Sequence, residues 1–381
     1  MMQRARQVEA ASLLLVGFSG TEMTSALEEL VSRGVLGVIL FGRNVHSPAQ
    51  VAELTSALKR AAGRPLVVAV DQEGGTVRRL RAGFSPVPNM RELGAHRDPA
   101  LAHEVGRLLG RELRAVGIDL NLAPVLDVDT NPDNPVIGVR AFSSDPEWVG
   151  ALGVALGRGL EWEGVAACGK HFPGHGDTTV DSHRALPRLP HHLARLDQVE
   201  LVPFRAWVRA GLGAIMTAHI LFDELDPELP ATLSPRVISG LLRGELGYEG
   251  LVLSDDLEMR AIADREGPGS AAVSAVQAGV DVLLACSPAE VAESALGEII
   301  ESLERARSER PGFEQSFARA QARAGEFAAR WARPAEPPQL GRLATVAGAA
   351  LIERIHRGRP DGSAGEGSDP TERGAGRRGT T

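Results

Sequence analysis

The sequence predicts a single (β/α)8 TIM barrel of the α/β class, with extra helices at its C-terminus. Eight short apolar runs recur along the chain, helical segments separate most of them, and polar clusters follow the runs. Continuous apolar strands that alternate with helices indicate a parallel sheet covered on its outer face. Eight such units close into a barrel, and a chain of 381 residues is long enough for one.

The elements follow in chain order. Strands are predicted at residues 13–18, 37–41, 66–70, 119–124, 165–170, 214–218, 251–254 and 280–284. Helices are predicted at 22–32, 48–62, 101–116, 146–161, 198–210, 235–242 and 270–278. A doubly wound open sheet has the same alternation. It is disfavoured because no GxGxxG turn follows the first strand and the polar clusters are spread over most strand ends.

Two further helices are predicted at 290–307 and 312–331, followed by the Pro-rich connector 333–342 and a helical pattern at 343–355. The tail from Arg357 to Thr381 contains no Val, Ile, Leu or aromatic residue. Such a segment lacks the apolar surface that offsets ordering entropy, so we expect disorder. The predicted division is a (β/α)8 barrel domain at 1–335, a C-terminal helical extension at 336–356 and a disordered tail at 357–381.

Composition excludes several classes of protein. A net charge of -8 and a pI near 5.8 give no attraction to nucleic acid, so the expected partner is a small molecule. The two cysteines, Cys168 and Cys286, are far apart and indicate neither a disulfide framework nor a zinc knuckle. We find no signal peptide and no apolar window of roughly 18 residues, the length of a membrane span. A cytoplasmic monomer that binds no membrane is expected.

Polar residues follow the third and fourth predicted strands. In VAVDQEGGTVRRL, Asp71 lies at a strand end, where its carboxylate and the guanidinium of Arg79 could bind sugar hydroxyls. The alternative for Asp71 is a strand-end cap. In the long loop DVDTNPDNPVIGVRAFSSDP, Arg140 is either a ligand-binding residue or a structural ion-pair partner.

CGKHFPGHGDTTVDSH, residues 168–183, is the densest polar cluster. Asp181 and His183 are two apart, so the carboxylate can orient the imidazole and form a proton shuttle. The alternative is a metal site built from the His and Asp residues. The metal site is disfavoured because Lys170, beside His171, would repel a cation. His191 and His192 fall near a predicted helix start and receive no role.

GLVLSDDLEM places two carboxylates after the seventh strand. Neighbouring side chains on an extended strand point to opposite sides, so only one can face the barrel mouth. We assign that place to Asp255, as a nucleophile or an electrostatic partner for an oxocarbenium-like centre. We expect Asp256 to cap the following helix.

These motifs, in this order from Gln7 to Ser287, resemble the β-N-acetylglucosaminidases of glycoside hydrolase family 3. The similarity is greatest to the cytoplasmic single-barrel bacterial enzymes of peptidoglycan recycling. The resemblance implies that Asp255 is the nucleophile and that His183, paired with Asp181, is the acid/base. It implies sugar contacts from Asp71, Arg79, Arg140, Lys170 and His171. One departure is Thr76, where family members often carry Arg.

The function that the resemblance implies is a retaining exo-glycosidase. It would remove terminal N-acetylglucosamine from muropeptides or chitooligosaccharides without a metal or other cofactor. The alternatives on the same fold are a phosphorylase, in which phosphate replaces water, and a β-glucosidase. A metal-dependent hydrolase and a non-catalytic sugar-binding module are disfavoured, since binding alone does not require Asp181, His183 and Asp255 together.

Overall fold

Eight parallel strands close into a barrel in the computed structural model, which describes residues 9–357 except for the side chains of 289–294. Each strand pairs with its neighbours in sequence, and the last pairs with the first. The strands are β1 (Leu14–Val16), β2 (Gly37–Leu40), β3 (Val67–Val70), β4 (Leu120–Asn121), β5 (Ala166–Phe172), β6 (Ala214–Thr217), β7 (Leu251–Asp256) and β8 (Val282–Ala285). The predicted barrel and all eight predicted strands are confirmed.

Helices cover the outside of the barrel. The longer ones are Ser25–Ser32, Pro48–Ala62, Pro99–Ala115, Pro146–Trp162, Leu201–Ala210, Arg236–Glu245, Pro268–Ala278, Ala289–Glu309, Phe313–Trp331 and Val346–Arg357. Three of them begin with Pro after an N-cap, Ser47, Asp98 or Asp145, whose side chain accepts backbone N–H bonds. Proline at the first helical position loses no intrahelical hydrogen bond. An N-cap residue followed by proline therefore indicates a helix N-terminus in the sequence.

The segment predicted as one helix at 198–210 is two helices, Leu193–Gln198 and Leu201–Ala210. Val199 between them has φ -128° and ψ -74°, outside the helical range. Pro203 has no N–H to donate, and it is tolerated because it lies in the first turn of the second helix. The helix predicted at 235–242 is a π-helix that extends to Glu245.

Two aspartates fix the N-terminal end of the barrel in the same way. Asp119, just before β4, accepts a hydrogen bond from the N–H of Val68 at 3.0 Å, and Asp281, just before β8, accepts one from Val252 at 2.9 Å. The two valines occupy matching positions of β3 and β7. Three residues further along lie Asp71, just after β3, and Asp255, the last but one residue of β7. Strands four apart contribute to the same layer of a barrel, so the two carboxylates emerge on opposite sides at a similar height.

The C-terminal segments pack against the barrel. Ile352 and Ile355 of the last helix are buried, and His96 Nε2 lies 2.9 Å from the carbonyl of Ile355. The connector is fixed by hydrogen bonds such as Gln339 N–H to the Ala115 carbonyl at 3.1 Å. The predicted disordered tail lies outside the described residues, apart from Arg357. Between residues 9 and 357, no helix has the length and apolar character of a membrane span.

Candidate active site

Polar side chains from five strands converge at the C-terminal end of the barrel, the end where TIM barrels carry their active sites. They are Asp71 and Glu73 after β3, Asp127 and Arg140 after β4, Lys170 and His171 in β5, His219 after β6 and Asp255 in β7. Five of the predicted site residues, all except Arg79, Asp181 and His183, therefore share this face with three residues that were not predicted.

Four charged groups form a compact cluster on one side of this face. Lys170 Nζ lies 2.7 Å from Asp71 Oδ1 and 2.6 Å from Glu73 Oε1. Arg140 donates two hydrogen bonds to Glu73, at 2.9 and 2.8 Å. Burial opposes the charge on Lys170, but Asp71 and Glu73 outweigh it and raise its pKa. Burial opposes the charge on Glu73 as well, yet Arg140 and Lys170 lower its pKa far below the usual range. Glu73 and Lys170 therefore each favour their charged form, and their mutual hydrogen bonds fix the directions in which the cluster can bind a ligand.

Arg79 lies at the rim of this cluster. Its Nη2 is 3.9 Å from Asp71 Oδ2, and its guanidinium stands over the ring of Phe41 at 5.8 Å. About a third of the side chain is exposed, while its Nε is buried and has no partner among the described residues. Arg79 is thus adjacent to Asp71, with donors still available to a ligand.

Asp127 fixes the orientation of His171. The imidazole Nδ1 lies 2.7 Å from Asp127 Oδ2, and the His171 backbone N–H donates to the other oxygen at 3.2 Å. Burial opposes the charge on Asp127, but His171 outweighs burial and lowers its pKa. A carboxylate at Nδ1 fixes the proton there and leaves Nε2 for a ligand. The peptide bond between Lys170 and His171 is cis.

Asp255 is partly buried at the end of β7. Its Oδ1 accepts the backbone N–H of Asp256 at 2.8 Å. Burial raises the pKa of Asp255, but the imidazoles of His219 and His171 outweigh burial and lower the net value; His183 contributes in the same direction. The net effect favours the anionic form of Asp255, the form in which a carboxylate can act as a nucleophile.

His219, which follows β6, supports the backbone beside Asp255. Its Nε2 lies 2.9 Å from the carbonyl of Asp256, and its Nδ1 lies 2.8 Å from Thr232 Oγ1. The ring is buried, and burial lowers its pKa. Both nitrogens are occupied, so His219 positions the end of β7.

The expected helix cap at Asp256 is wrong. The short helix Arg260–Ala263 begins after Met259 and has no side-chain cap. Asp256 Oδ1 instead accepts the N–H groups of Glu258 at 3.1 Å and Cys286 at 3.2 Å, which forms a turn and ties β7 to β8. The turn leaves two residues between Asp256 and the N-cap position, so the carboxylate is too far back to cap the helix.

Asp181 and His183 lie on the loop after β5. His183 Nδ1 and its backbone N–H both lie 2.9 Å from Asp181 Oδ1. The side chain of His183 is 66% exposed, so its Nε2 can reach a ligand at the mouth. The Ser182 carbonyl accepts the N–H of Ala261 at 3.4 Å, which brings this loop against the segment after β7.

The other titratable groups of the loop are already engaged. His175 is buried, with Nδ1 2.7 Å from Thr178 Oγ1 and Nε2 3.0 Å from Ser182 Oγ. Burial lowers its pKa to about 4. Asp177 accepts from the Thr130 hydroxyl at 2.7 Å and lies 2.8 Å from Nε2 of His191, a histidine for which no role was predicted. Both ring nitrogens of His175 and both oxygens of Asp177 thus have partners within the protein.

Three residues of the site were not predicted: Glu73, Asp127 and His219. Glu73 lies in DQEGG and Asp127 in DVDT, two motifs that the sequence already indicated, whereas His219 lies in MTAHI, to which no role was assigned. All three are ionisable residues within about five positions of a predicted strand end, and that signal could have found them. For a metal, the described part of the chain contains no group of three or more His, Cys, Asp or Glu with suitable geometry.

The fold and the site together define a barrel glycoside hydrolase: fixed charges for sugar hydroxyls, an ionised carboxylate and an oriented histidine meet at one face. The chain belongs to glycosyl hydrolase family 3. The family described as "Glycosyl hydrolase family 3 N terminal domain" matches residues 6–321.

Similar proteins and similar solved structures support the same family assignment. A β-hexosaminidase from Alkalilimnicola ehrlichii is 45% identical over 290 residues, covering 74% of this chain and 83% of the relative. The family 3 β-N-acetylglucosaminidase from Paenibacillus is 44% identical with a TM-score of 0.85, over 92% of this chain and 68% of that one. NagZ from Neisseria gonorrhoeae, solved with N-trifluoroacetyl-D-glucosamine, is 31% identical with a TM-score of 0.75, over 90% and 96%. This chain is therefore grouped with the β-N-acetylhexosaminidases of the family.

Proposed function

We propose that the protein is a retaining exo-β-N-acetylglucosaminidase that uses Asp255 as nucleophile and His183 as acid/base. The observation that carries the proposal is the position of Asp255 in β7, at the end of the barrel where the charged cluster and His171 also lie. The imidazoles of His219 and His171 lower the pKa of its carboxyl, which favours the anion. Asp181 holds His183 in one tautomer, with Nε2 directed away from the pair.

The reaction takes two steps. In the first, an Asp255 oxygen bonds to the anomeric carbon while the bond to the leaving oxygen breaks, and His183 donates a proton to that oxygen. In the second, water attacks the anomeric carbon, gives its proton to His183 and displaces Asp255. A double displacement keeps the anomeric configuration. A histidine with a reference pKa of about 6.5 can act as acid and then as base near neutral pH.

The charged cluster supplies the sugar pocket. Asp71 can accept hydrogen bonds from hydroxyls, while Lys170, Arg140 and Arg79 can donate to them. His171, whose Nδ1 is bound to Asp127, has its Nε2 left to bind a hydroxyl. These groups are held by each other rather than by flexible surface contacts, so little ordering is needed when a sugar binds.

The substrate class follows from the relatives. NagZ was solved with an N-acylated glucosamine, and the Paenibacillus protein is a β-N-acetylglucosaminidase. We therefore assign terminal N-acetylglucosamine on muropeptides or chitooligosaccharides, peptidoglycan recycling as the setting, and a cytoplasmic monomer as the working form.

The test is kinetics on paired 4-nitrophenyl β-glycosides of N-acetylglucosamine and glucose. We expect a higher kcat/KM for the N-acetyl substrate and retention of configuration in the first product, measured by NMR. Preference for the glucoside would contradict the assigned substrate, and inversion would contradict the nucleophile. Parallel assays with inorganic phosphate separate hydrolysis from phosphorolysis, since only the latter yields a sugar 1-phosphate.

A further inference from the structure

A buried chain of hydrogen bonds connects the sugar pocket with the loop that carries His183. It begins at His171, whose Nδ1 lies 2.7 Å from Asp127 Oδ2. The other Asp127 oxygen accepts the backbone N–H of His175 at 2.6 Å. The imidazole of His175 then meets the hydroxyl of Ser182 at 3.0 Å. His171, Asp127, His175 and Ser182 are all buried.

Both ring nitrogens of His175 have a hydroxyl partner. Nδ1 lies 2.7 Å from Thr178 Oγ1, and Nε2 lies 3.0 Å from Ser182 Oγ. Either hydroxyl can donate or accept, so either neutral tautomer of His175 satisfies both contacts. Both ring nitrogens of His175 and both oxygens of Asp127 thus have partners, and a satisfied buried network holds one geometry.

Ser182 is the one buried residue between positions 179 and 185. The two residues that follow it are exposed: the side chain of His183 is 66% exposed and that of Arg184 is 85% exposed. The Ser182 hydroxyl is therefore the main side-chain attachment of this stretch to the interior. Removing it should free the segment on which the acid/base depends.

We propose that His175 is a positioning residue, which fixes His183 through Ser182 and couples the sugar pocket to the acid/base loop through Asp127 and His171. A sugar that binds His171 Nε2 then stabilises the loop, and by reciprocity a fixed loop strengthens sugar binding. The role of His183 in this statement rests on the proposed function. The attachment of the loop itself does not.

The experiment is limited proteolysis of the full chain with trypsin, which cleaves after the exposed Arg184 when the loop opens locally. Wild type, Ser182→Ala and Ser182→Thr are compared, with the cut site identified by mass spectrometry. Ser239→Ala is the matched control, because its hydroxyl bonds the Ala278 carbonyl at 2.6 Å and lies at the far end of the barrel. The ligand probe is N-acetylglucosamine, whose binding is measured by calorimetry.

Without sugar, we expect cleavage at Arg184 about fivefold faster in Ser182→Ala, the effect of one lost hydrogen bond. Ser182→Thr, which keeps the hydroxyl, and Ser239→Ala should match wild type. Equal rates in wild type and Ser182→Ala would overturn the role of His175. With sugar bound, cleavage should slow in wild type and much less in Ser182→Ala; equal protection would overturn the coupling.

Kinetics supply a readout that a merely structural role would not change. In Ser182→Ala, aryl glycosides with poor leaving groups should slow more than those with good ones, because a displaced His183 protonates less well. A uniform loss across leaving groups would overturn the positioning role. Failure of wild type to bind N-acetylglucosamine would instead contradict the proposed function, while the sugar-free proteolysis still decides the attachment.

Discussion

Glu73 and Arg140 form a bidentate ion pair, Nε to Oε2 at 2.9 Å and Nη2 to Oε1 at 2.8 Å, inside the candidate sugar pocket. The sequence left two interpretations of Arg140, and the structure shows the ion pair. Lys170 shares the same carboxylate at 2.6 Å. One buried anion therefore holds two of the cations that we assign to sugar binding.

Glu73→Gln should leave Arg140 and Lys170 without their charge partner and change the shape of the pocket. We expect KM to rise more than tenfold and the free energy of unfolding to fall by about 3 kcal/mol, the range for breaking a buried ion pair. Glu112→Gln is the control: Glu112 is also buried and accepts from Ser85 N–H at 2.9 Å, far from the pocket. It should lose stability with an unchanged KM. An unchanged KM in Glu73→Gln would count against the role of the cluster.

Asp255→Asn should lower turnover by several powers of ten while sugar binding persists, because the amide keeps the shape but cannot attack the anomeric carbon. Turnover is measured with an aryl glycoside and binding by calorimetry. A fluorinated activated glycoside should label Asp255 in the wild-type protein, as read by peptide mass spectrometry. Labelling of the adjacent Asp256 would mean that the nucleophile is misassigned.

His183→Ala should slow substrates with poor leaving groups severely and those with good ones much less, because an activated phenolate departs without a proton. Asp181→Ala should show the same pattern more weakly, and added azide should restore turnover in His183→Ala. The measurement is the dependence of rate on leaving-group pKa. His191→Ala is a control outside the proposed proton path. An unchanged slope in His183→Ala would assign the proton to another group.

Asp256→Asn tests the pH dependence of stability. Burial raises the pKa of Asp256 to about 7, above its ordinary value of 3.8. The stability that the protonated Asp256 carboxyl contributes is fully present below pH 3.8 and is lost as pH rises through 7. Over that range the free energy of unfolding falls by up to about 1.4 kcal/mol per pH unit. Asn removes this slope and keeps the oxygen that accepts from Glu258 and Cys286. Urea unfolding of both proteins from pH 4 to 8 should therefore show the variant gaining relative stability with pH.

Asp226→Asn is the control for that series. Burial opposes the charge on Asp226, but hydrogen bonds, led by that from Ser234, lower its pKa below 3.8. The contribution of Asp226 to the free energy of unfolding is therefore constant above pH 3.8 and is lost only as pH falls through its lowered pKa. The stability difference between this variant and wild type should be flat from pH 5 to 8. A flat difference for Asp256→Asn as well would show that Asp256 ionises normally in the folded protein.

Dialysis against EDTA should leave turnover of an aryl N-acetylglucosaminide unchanged, because the proposed chemistry needs no Lewis acid. Lys170 beside His171 also opposes cation binding at the pocket. Metal content by mass spectrometry before and after dialysis is the control. Loss of activity that returns when a stoichiometric metal is added back would favour the metal-dependent hydrolase.

The sequence by itself determined the barrel. Continuous apolar strands, Pro-led helix starts and helix caps are local patterns, and each is set by residues close together in the chain. The motifs DQEGG, KHFPGHGDT, DSH and SDDLEM also indicated which strand ends carry polar side chains. Asp71, Lys170, His171 and Asp255 were found in this way, because the end of a barrel strand is a position that sequence can mark.

Only the tertiary structure decided how these side chains meet. Glu73 lies between Arg140 and Lys170, residues 67 and 97 positions further along the chain, and such a contact depends on strand register and barrel closure. The local pattern at Asp256 favoured a helix cap, yet its carboxylate binds the N–H of Cys286 across to β8. Contacts between neighbouring strands, and the burial that shifts each pKa, exist only once the eighth strand closes on the first.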